Sequence, residues 1–186
     1  IYVVDTMNKN TFAESWWVSD TGSYNHYAQG CVAEWFYAYV LGIKNAEDSV
    51  AFKHISLAPT LDGKERLTYA SGSYNSVYGT ISSGWAKVSD GVYSYDITIP
   101  ANTTATVTFP KNWVTMNGTD ISYLTEAEGV TDVRVENGLV VCDLLSGAYS
   151  FTMSDEGTAD EASEVNSVIE AISALGDVWS ITAEDK

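Results

Sequence analysis

The segment YSYDITIPANTTATVTF, residues 93–109, determines the class of fold. Apolar and polar side chains alternate up to Ile99, and the alternation resumes after Pro100. A period of two residues is typical of strands with one buried face, because successive side chains of a strand point to opposite sides. We therefore predict an antiparallel hairpin whose buried residues are Tyr93, Tyr95, Ile97 and Ile99 on one strand and Ala105, Val107 and Phe109 on the other.

Turn signals on both sides of this segment extend the pattern. Asp90-Gly91 and Asn137-Gly138 lie between alternating runs, and such dipeptides favour the tight turns of hairpins. A last alternating strand contains Tyr149, Phe151 and Met153. The sequence thus predicts a mainly β protein, with an antiparallel β-sandwich domain at residues 47–154.

Ahead of the sandwich, apolar residues recur with the period of a helix between Ser23 and Ile43. Gly42 lies near the predicted end, where a glycine can adopt the left-handed conformation that closes a helix. A helix cannot bury an apolar face by itself, so we expect packing partners for the face formed by Ala28, Cys31, Val32, Trp35, Phe36, Tyr39, Val40 and Ile43.

Residues 155–186 are acidic and rich in Ala and Ser, and we interpret them as a linker followed by the start of a helical surface repeat. Thr158 with Glu161 fits a capping box before a helical stripe, and Thr182 with Asp185 resembles a second one. The segment resembles the opening of three-helix repeats in surface proteins of Gram-positive bacteria. We therefore expect the chain to be a piece of a longer protein.

The formal net charge of -16 argues against binding to nucleic-acid phosphates or to an anionic membrane, since both require clustered Lys and Arg. No run of about 18 apolar residues suggests a membrane span. The spacing of zinc ligands is absent as well, and we predict neither a metal nor an organic cofactor.

We expect Cys31 and Cys142 to be buried free thiols. Four acidic residues lie close together in the sequence: Asp120, Glu126, Glu128 and Asp132. They could form a solvated acidic surface or bind a calcium ion.

The residues with the clearest chemical pattern precede and begin the predicted helix. Glu14 is followed by Trp16 and Trp17, and a polar turn then leads to Tyr24-Asn25-His26. Indole rings can raise the pKa of a carboxyl group by excluding water, and the polar cluster can bind sugar hydroxyls. The alternative is a glutamate on a solvated loop and a histidine in a helix cap.

The order Glu-x-Trp, a short loop, Ser-Tyr-Asn-His-Tyr-Ala-x-Gly and Glu-Trp is similar to the end of the (α/α)6 barrel in glycoside hydrolase family 78, the α-L-rhamnosidases. The resemblance continues through Phe52-Lys53-His54-Ile55, Trp85 and residues 99–107 into the C-terminal sandwich of those enzymes. It implies that residues 1–46 are the C-terminal end of a helical-barrel catalytic domain and contain the barrel's terminal helix.

The resemblance also implies an inverting mechanism that releases terminal α-L-rhamnose from glycosides or polysaccharides. Glu14 matches the general base and His26 a histidine of the rhamnose subsite, while Trp16, Tyr24 and Asn25 are candidate substrate-binding residues. The general acid would lie in the upstream barrel of the same polypeptide, so we expect the 186 residues alone to be inactive. By analogy, we expect the protein to be secreted or attached to a bacterial cell surface.

Two other functions remain open at this point. The sandwich could be a non-catalytic carbohydrate-binding or structural module of a bacterial surface protein. Alternatively, the parent enzyme could act on another α-linked deoxy sugar or hexose. We interpret His54 as structural rather than catalytic, and Glu34 as a polar contact rather than a second acid.

Overall fold

A computed structural model describes residues 23, 26–64, 66–121 and 127–155. The predicted tail helix after Thr158 and the second capping box at Thr182 lie outside the described residues. In chain order the elements are a helix α1 (Tyr27–Trp35), a π-helical turn (Phe36–Val40), and strands β1 (Ile43–Asn45), β2 (His54–Leu57), β3 (Tyr69–Ser76), β4 (Gly79–Ser89), β5 (Val92–Ile99), β6 (Thr104–Thr108), β7 (Trp113–Met116), β8 (Thr119–Asp120), β9 (Val130–Glu136), β10 (Leu139–Leu144) and β11 (Gly147–Ser154).

The strands form two sheets, which confirms the predicted β-sandwich. A five-stranded sheet has the order β1-β2-β6-β10-β9, and a six-stranded sheet has the order β3-β4-β5-β11-β7-β8. Neighbouring strands run antiparallel except β2 and β6, which are parallel with His54 opposite Thr104. The parallel pair arises because the chain passes through three strands of the other sheet before it returns beside β2.

The predicted hairpin of residues 93–109 is wrong in its pairing. Strands β5 and β6 belong to different sheets, and residues 100–103 carry the chain across the edge of the sandwich. Asn102 adopts a left-handed conformation there, with φ 61°, and the Thr103 hydroxyl donates a 2.6 Å hydrogen bond to the Pro100 carbonyl. The alternating pattern identifies the buried face of each strand but contains no information about its pairing partner.

The core between the sheets contains the residues predicted to face inward. Phe109 contacts Tyr95 from the opposite sheet edge-on at 6.1 Å and Phe151 at 4.9 Å between ring centroids. Full burial of one such apolar side chain contributes about 1.5–3 kcal/mol. Exposure is at most 8% for every predicted inward residue: Tyr93, Tyr95, Ile97, Ile99, Ala105, Val107, Phe109, Tyr149, Phe151 and Met153.

Both predicted turn dipeptides lie in hairpins. Asp90-Gly91 connects β4 to β5, and Asn137-Gly138 connects β9 to β10. Asn137 and Gly138 have φ values of 53° and 79°, the two positive values that a type I′ turn requires.

The predicted helix begins at Tyr27 and changes into a π-helical turn at Phe36. Gly42 closes it with φ 73°, as its position in the sequence predicted. A carbonyl at a helix C-terminus has no partner within the helix, and here the sandwich supplies one. The Ser83 hydroxyl donates to the Leu41 carbonyl at 2.6 Å, and the Thr60 amide donates to the Tyr39 carbonyl at 2.8 Å.

The sandwich covers only part of the predicted apolar face of the helix. Val40 and Ile43 are buried, whereas Val32, Trp35, Phe36 and Tyr39 are each 41–48% exposed. None of the helices within the described ranges is long and apolar enough to cross a membrane.

The expectation of two buried thiols is correct for Cys142 and wrong for Cys31. Both cysteines are free, but Cys31 lies on the uncovered side of α1 and is exposed. Its apolar neighbours at helical spacing predicted a buried face, and the sandwich does not reach that far along the helix.

Candidate functional site

Of the five predicted site residues, one lies within the described part of the chain. Glu14, Trp16, Tyr24 and Asn25 lie outside the described residues, and their grouping stays a prediction. His26 lies within the described part of the chain, directly before α1.

His26 occupies the N-terminal boundary of the helix in an extended conformation, with φ -97° and ψ 110°. Its carbonyl accepts the first helical hydrogen bond, from the Gly30 amide at 2.9 Å. Its ring stacks on Tyr27 with 5.8 Å between centroids. The His26 Nδ1 atom is buried and has no hydrogen-bond partner among the described residues. A buried polar atom without a partner is uncommon in folded proteins.

His54 lies on the outer side of the five-stranded sheet and contacts two threonines of β6. The Thr104 hydroxyl is 2.7 Å from Nδ1, and the Thr106 hydroxyl is 2.9 Å from Nε2. Thr106 uses its only proton to donate to the Asp143 carboxylate at 2.5 Å. The Nε2 atom of His54 must therefore carry the proton that Thr106 accepts. With both ring nitrogens bonded to neighbouring strands, His54 joins β2 to β6, which supports the structural interpretation.

Asp143 continues this network to Arg134. The Nη1 atom of Arg134 donates hydrogen bonds to Asp143 at 2.8 Å and to Asp132 at 2.9 Å. Its Nε atom donates to Glu136 at 2.6 Å. The hydrogen bond to Glu136 and those to the two aspartates raise the pKa of Arg134 further above its ordinary range. Sequence reasoning missed this group, because its members come together only through the pairing of β6, β10 and β9.

The acidic cluster does not form a described metal site. Glu126 lies outside the described residues, and Asp132 pairs with Arg134. Within residues 23, 26–64, 66–121 and 127–155, no three His, Cys, Asp or Glu side chains are grouped so that they could hold a metal ion.

Glu34 is exposed on α1 and lines a cavity between the helix and the sandwich. The cavity has a volume of about 600 Å³ and also contains three aromatic side chains, Tyr37, Phe52 and Tyr74. Sequence reasoning missed this cavity as well, because its walls come from five separate segments of the chain.

Known proteins match the chain in sequence and in fold. Residues 42–120 match the model of the bacterial α-L-rhamnosidase C-terminal domain. An α-L-rhamnosidase of Streptomyces avermitilis is 32% identical over 134 residues, which cover 72% of this chain and 12% of that protein. One from Formosa agariphila is 29% identical over 144 residues, 77% of this chain and 15% of that protein.

Two solved structures agree with these sequence matches. The Streptomyces avermitilis α-L-rhamnosidase complexed with L-rhamnose aligns with a TM-score of 0.56 and 30% identity, covering 73% of this chain and 12% of that one. The α-L-rhamnosidase from Dictyoglumus thermophilum aligns with a TM-score of 0.61 and 25% identity, covering 83% of this chain and 17% of that one. The chain thus spans less than a fifth of each of these relatives. The agreement of sequence and fold shows that it contains a bacterial α-L-rhamnosidase C-terminal domain.

Proposed function

We propose that the chain is the C-terminal part of an inverting glycoside hydrolase that releases terminal α-L-rhamnose from glycosides or polysaccharides. The observation that carries this proposal is the match over 134 residues to an α-L-rhamnosidase, which extends beyond the 42–120 domain. Because the chain corresponds to 12% of that relative, the rest of the active site would lie in other parts of the parent polypeptide.

In this proposal Glu14 is the general base. Its carboxylate takes a proton from a water molecule that attacks the anomeric carbon, while a carboxylic acid of the upstream barrel protonates the leaving oxygen. Inverting enzymes keep the two carboxyl groups roughly 6.5–9.5 Å apart, so that the water fits between the base and the sugar. The base therefore contributes to the reaction only when the upstream domain is present.

His26 binds the rhamnose ring, together with Tyr24 and Asn25, and Trp16 packs beside it. The buried Nδ1 atom of His26 supports this role, since a sugar hydroxyl would give it the partner that it lacks among the described residues. Its position at the start of α1 supports the role too, because the helix attaches the histidine to a rigid element.

The uncovered side of the helix supports a packing partner in the same polypeptide. Val32, Trp35, Phe36 and Tyr39 expose apolar surface that the sandwich does not cover. Adjacent apolar side chains of this size are typical of a protein interface. We propose that the upstream catalytic barrel covers them, and that the sandwich supports this junction.

The decisive experiment replaces Glu14 by Gln in the full-length parent enzyme. We expect the kcat for an aryl α-L-rhamnoside to fall by about 10²–10⁴-fold, the usual contribution of a general base, with an unchanged circular dichroism spectrum. Glu47→Gln, at an exposed position between β1 and β2, is the matched control and should leave kcat within about twofold. Unchanged turnover in Glu14→Gln would refute the assignment and favour the non-catalytic carbohydrate-binding or structural module.

Two further measurements test the remaining roles. His26→Ala should raise KM for the aryl rhamnoside, because the ring is proposed to bind the sugar. Residues 1–186 alone should hydrolyse nothing, and turnover near that of the full-length enzyme would contradict the proposal.

We also propose that the parent protein is secreted or attached to the cell surface. Its detection only in the cytoplasmic fraction would contradict this localisation.

A further inference from the structure

The cavity between the helix and the sandwich has the size and lining of a small-ligand site. Its volume of about 600 Å³ lies within the range of roughly 300–1,000 Å³ that is usual for ligand pockets. Its walls come from α1 and the π-helical turn, from β1, from the loop before β2 and from β3. The lining residues are Glu34, Tyr37, Ala38, Ile43, Lys44, Asn45, Phe52 and Tyr74.

Three aromatic rings form the walls of the cavity. The Tyr74 ring lies 4.7 Å from Phe52 and 6.4 Å from Tyr37 between centroids, and the Tyr37 ring is nearly perpendicular to it. Tyr37 and Tyr74 remain 40% and 41% exposed, so their rings are accessible to a ligand. An aromatic ring provides a flat apolar surface for the C–H groups of a sugar ring, and a phenol hydroxyl adds a hydrogen-bonding group.

The position of Phe52 in this wall requires an unusual backbone. Ala51 and Phe52 both adopt left-handed conformations, with φ values of 55° and 68°. Each such residue costs of order 1–3 kcal/mol when it is not glycine, and surrounding contacts must hold it in place. The Asn45 side chain supplies them: it accepts a 2.6 Å hydrogen bond from the Phe52 amide and donates one of 2.6 Å to the Ser49 carbonyl. Strain that is held in this way is common at ligand-binding sites.

The polar groups of the cavity favour a neutral ligand. Glu34 contributes one carboxylate and Lys44 one ammonium group, so their formal charges cancel. The Lys44 Nζ atom also lies 4.0 Å from the centroid of the Tyr39 ring, in a cation–π contact. A carboxylate that accepts and an ammonium that donates suit the hydroxyl groups of a sugar. Ala38 and Ile43 add apolar side chains to the lining, which suit a methyl substituent better than a charged one.

We propose that this cavity binds one neutral pyranose ring with a methyl substituent, a 6-deoxy sugar of the polymer on which the parent enzyme acts. The rings of Tyr37, Phe52 and Tyr74 pack against the sugar, and Glu34 and Lys44 bind its hydroxyls. Among the described residues, the one proposed to bind rhamnose in the active site, His26, does not line the cavity. The pyranose class follows from the cavity, whereas the choice of rhamnose rests on the proposed function.

The test compares two tyrosines of β3 in the full-length protein. Tyr74 lines the cavity, whereas Tyr69 is 70% exposed and does not, so Tyr69→Ala is the matched control for Tyr74→Ala. Binding to a soluble polysaccharide with terminal α-L-rhamnose branches is measured by affinity electrophoresis in the Glu14→Gln background, which keeps the polymer intact. The kcat/KM for an aryl rhamnoside is measured in the otherwise unchanged enzyme.

We expect Tyr74→Ala to weaken polysaccharide binding at least about fivefold, since a second contact with a polymer multiplies the apparent affinity. Tyr69→Ala should change it by less than about twofold, and neither variant should alter kcat/KM for the aryl rhamnoside. Tyr37→Ala, on the helix side of the cavity, should weaken polysaccharide binding to a similar extent. It replaces Tyr74→Ala as the test if that variant fails to fold.

Three results would overturn the site: unchanged polymer binding in Tyr74→Ala, an equal loss of polymer binding in Tyr74→Ala and Tyr69→Ala, or a parallel loss of aryl rhamnoside turnover in Tyr74→Ala. A different result would count against the proposed function alone. If the unaltered enzyme did not cleave the aryl rhamnoside while polymer binding still depended on Tyr74, the cavity proposal would stand and the rhamnosidase proposal would fail.

Discussion

The indole Nε1–H of Trp85 donates a 2.8 Å hydrogen bond to the carbonyl oxygen of Val40. Trp85 is 2% exposed, so this bond joins the core side of β4 directly to the last turn of the helix. The Ser83 hydroxyl makes the neighbouring bond to Leu41, two residues earlier on the same strand. The two side chains attach the sandwich to the helix that begins after His26, and they replace the partners that the helix carbonyls lack.

Replacement of Trp85 by Phe should therefore destabilise the chain. The variant keeps an aromatic ring but leaves the buried Val40 carbonyl without this donor, which costs about 1–3 kcal/mol of the free energy of unfolding. Urea unfolding followed by circular dichroism measures the loss. Trp113→Phe is the matched control, because the Trp113 Nε1 atom is buried and has no hydrogen-bond partner among the described residues. A similar loss in both variants would contradict the importance of the Trp85 bond.

Replacement of Gly42 by Ala should be more damaging than the same change at Gly138. Both glycines have a positive φ, but a Cβ at position 42 would lie 2.2 Å from the Ala58 carbonyl carbon, whereas at position 138 nothing lies within 4 Å. We expect Gly138→Ala to cost about 1 kcal/mol from backbone strain alone, and Gly42→Ala to cost more than about 3 kcal/mol. Thermal unfolding of both variants tests the difference, and equal melting temperatures would refute it.

The loop at Asp62 should be sensitive to acid. The hydrogen bond from the Arg66 side chain, followed by those from backbone amides, lowers the pKa of Asp62 from 3.8 to about 2. A carboxyl group whose pKa is lower in the folded state stabilises the fold above its unfolded pKa. That contribution should decline as the pH falls from about 4 to about 2. An NMR titration of the Asp62 carboxyl should give a midpoint near 2.

Arg66→Met provides the control for this titration. It removes the guanidinium bonds but keeps the backbone amide bonds from Lys64 and residue 66. The pKa of Asp62 should move back toward its ordinary value without reaching it. An unchanged midpoint in this variant would show that Arg66 does not lower the pKa.

The two thiols should differ in reactivity in the native chain. Cys31 is exposed, whereas burial, assisted by the neighbouring Asp143 charge, raises the pKa of Cys142 to about 12. The thiolate is the reactive form, so a disulfide reagent such as Ellman's should label one thiol rapidly at pH 8. Cys31→Ser should abolish this rapid labelling, and Cys142→Ser should leave it unchanged. In guanidinium chloride the reagent should label both thiols, which confirms that two are present per chain. Rapid labelling of Cys142 in the native chain would contradict its burial.

The local pattern of apolar, polar and glycine residues predicted much of the secondary structure. The alternation at residues 93–109 and 149–153 identified strands and their buried faces, and Gly42 marked the end of the helix. These features depend on a residue and its near neighbours, which the sequence contains. The order of the motifs along the chain also indicated the family, whereas the roles of Glu14 and His26 stay predictions.

Tertiary structure alone decided which strands pair and which side chains meet. It separated β5 from β6, placed β2 parallel to β6, and joined His54 to Asp143 through Thr106. It also brought Phe52 against Tyr74, on elements more than twenty residues apart in the chain. Alternation specifies a face but not a neighbour, because the hydrogen bonds between strands are made by backbone groups that every residue except proline has. The pairing therefore follows from the packing of the whole sandwich, and the cavity and the polar network follow from the pairing.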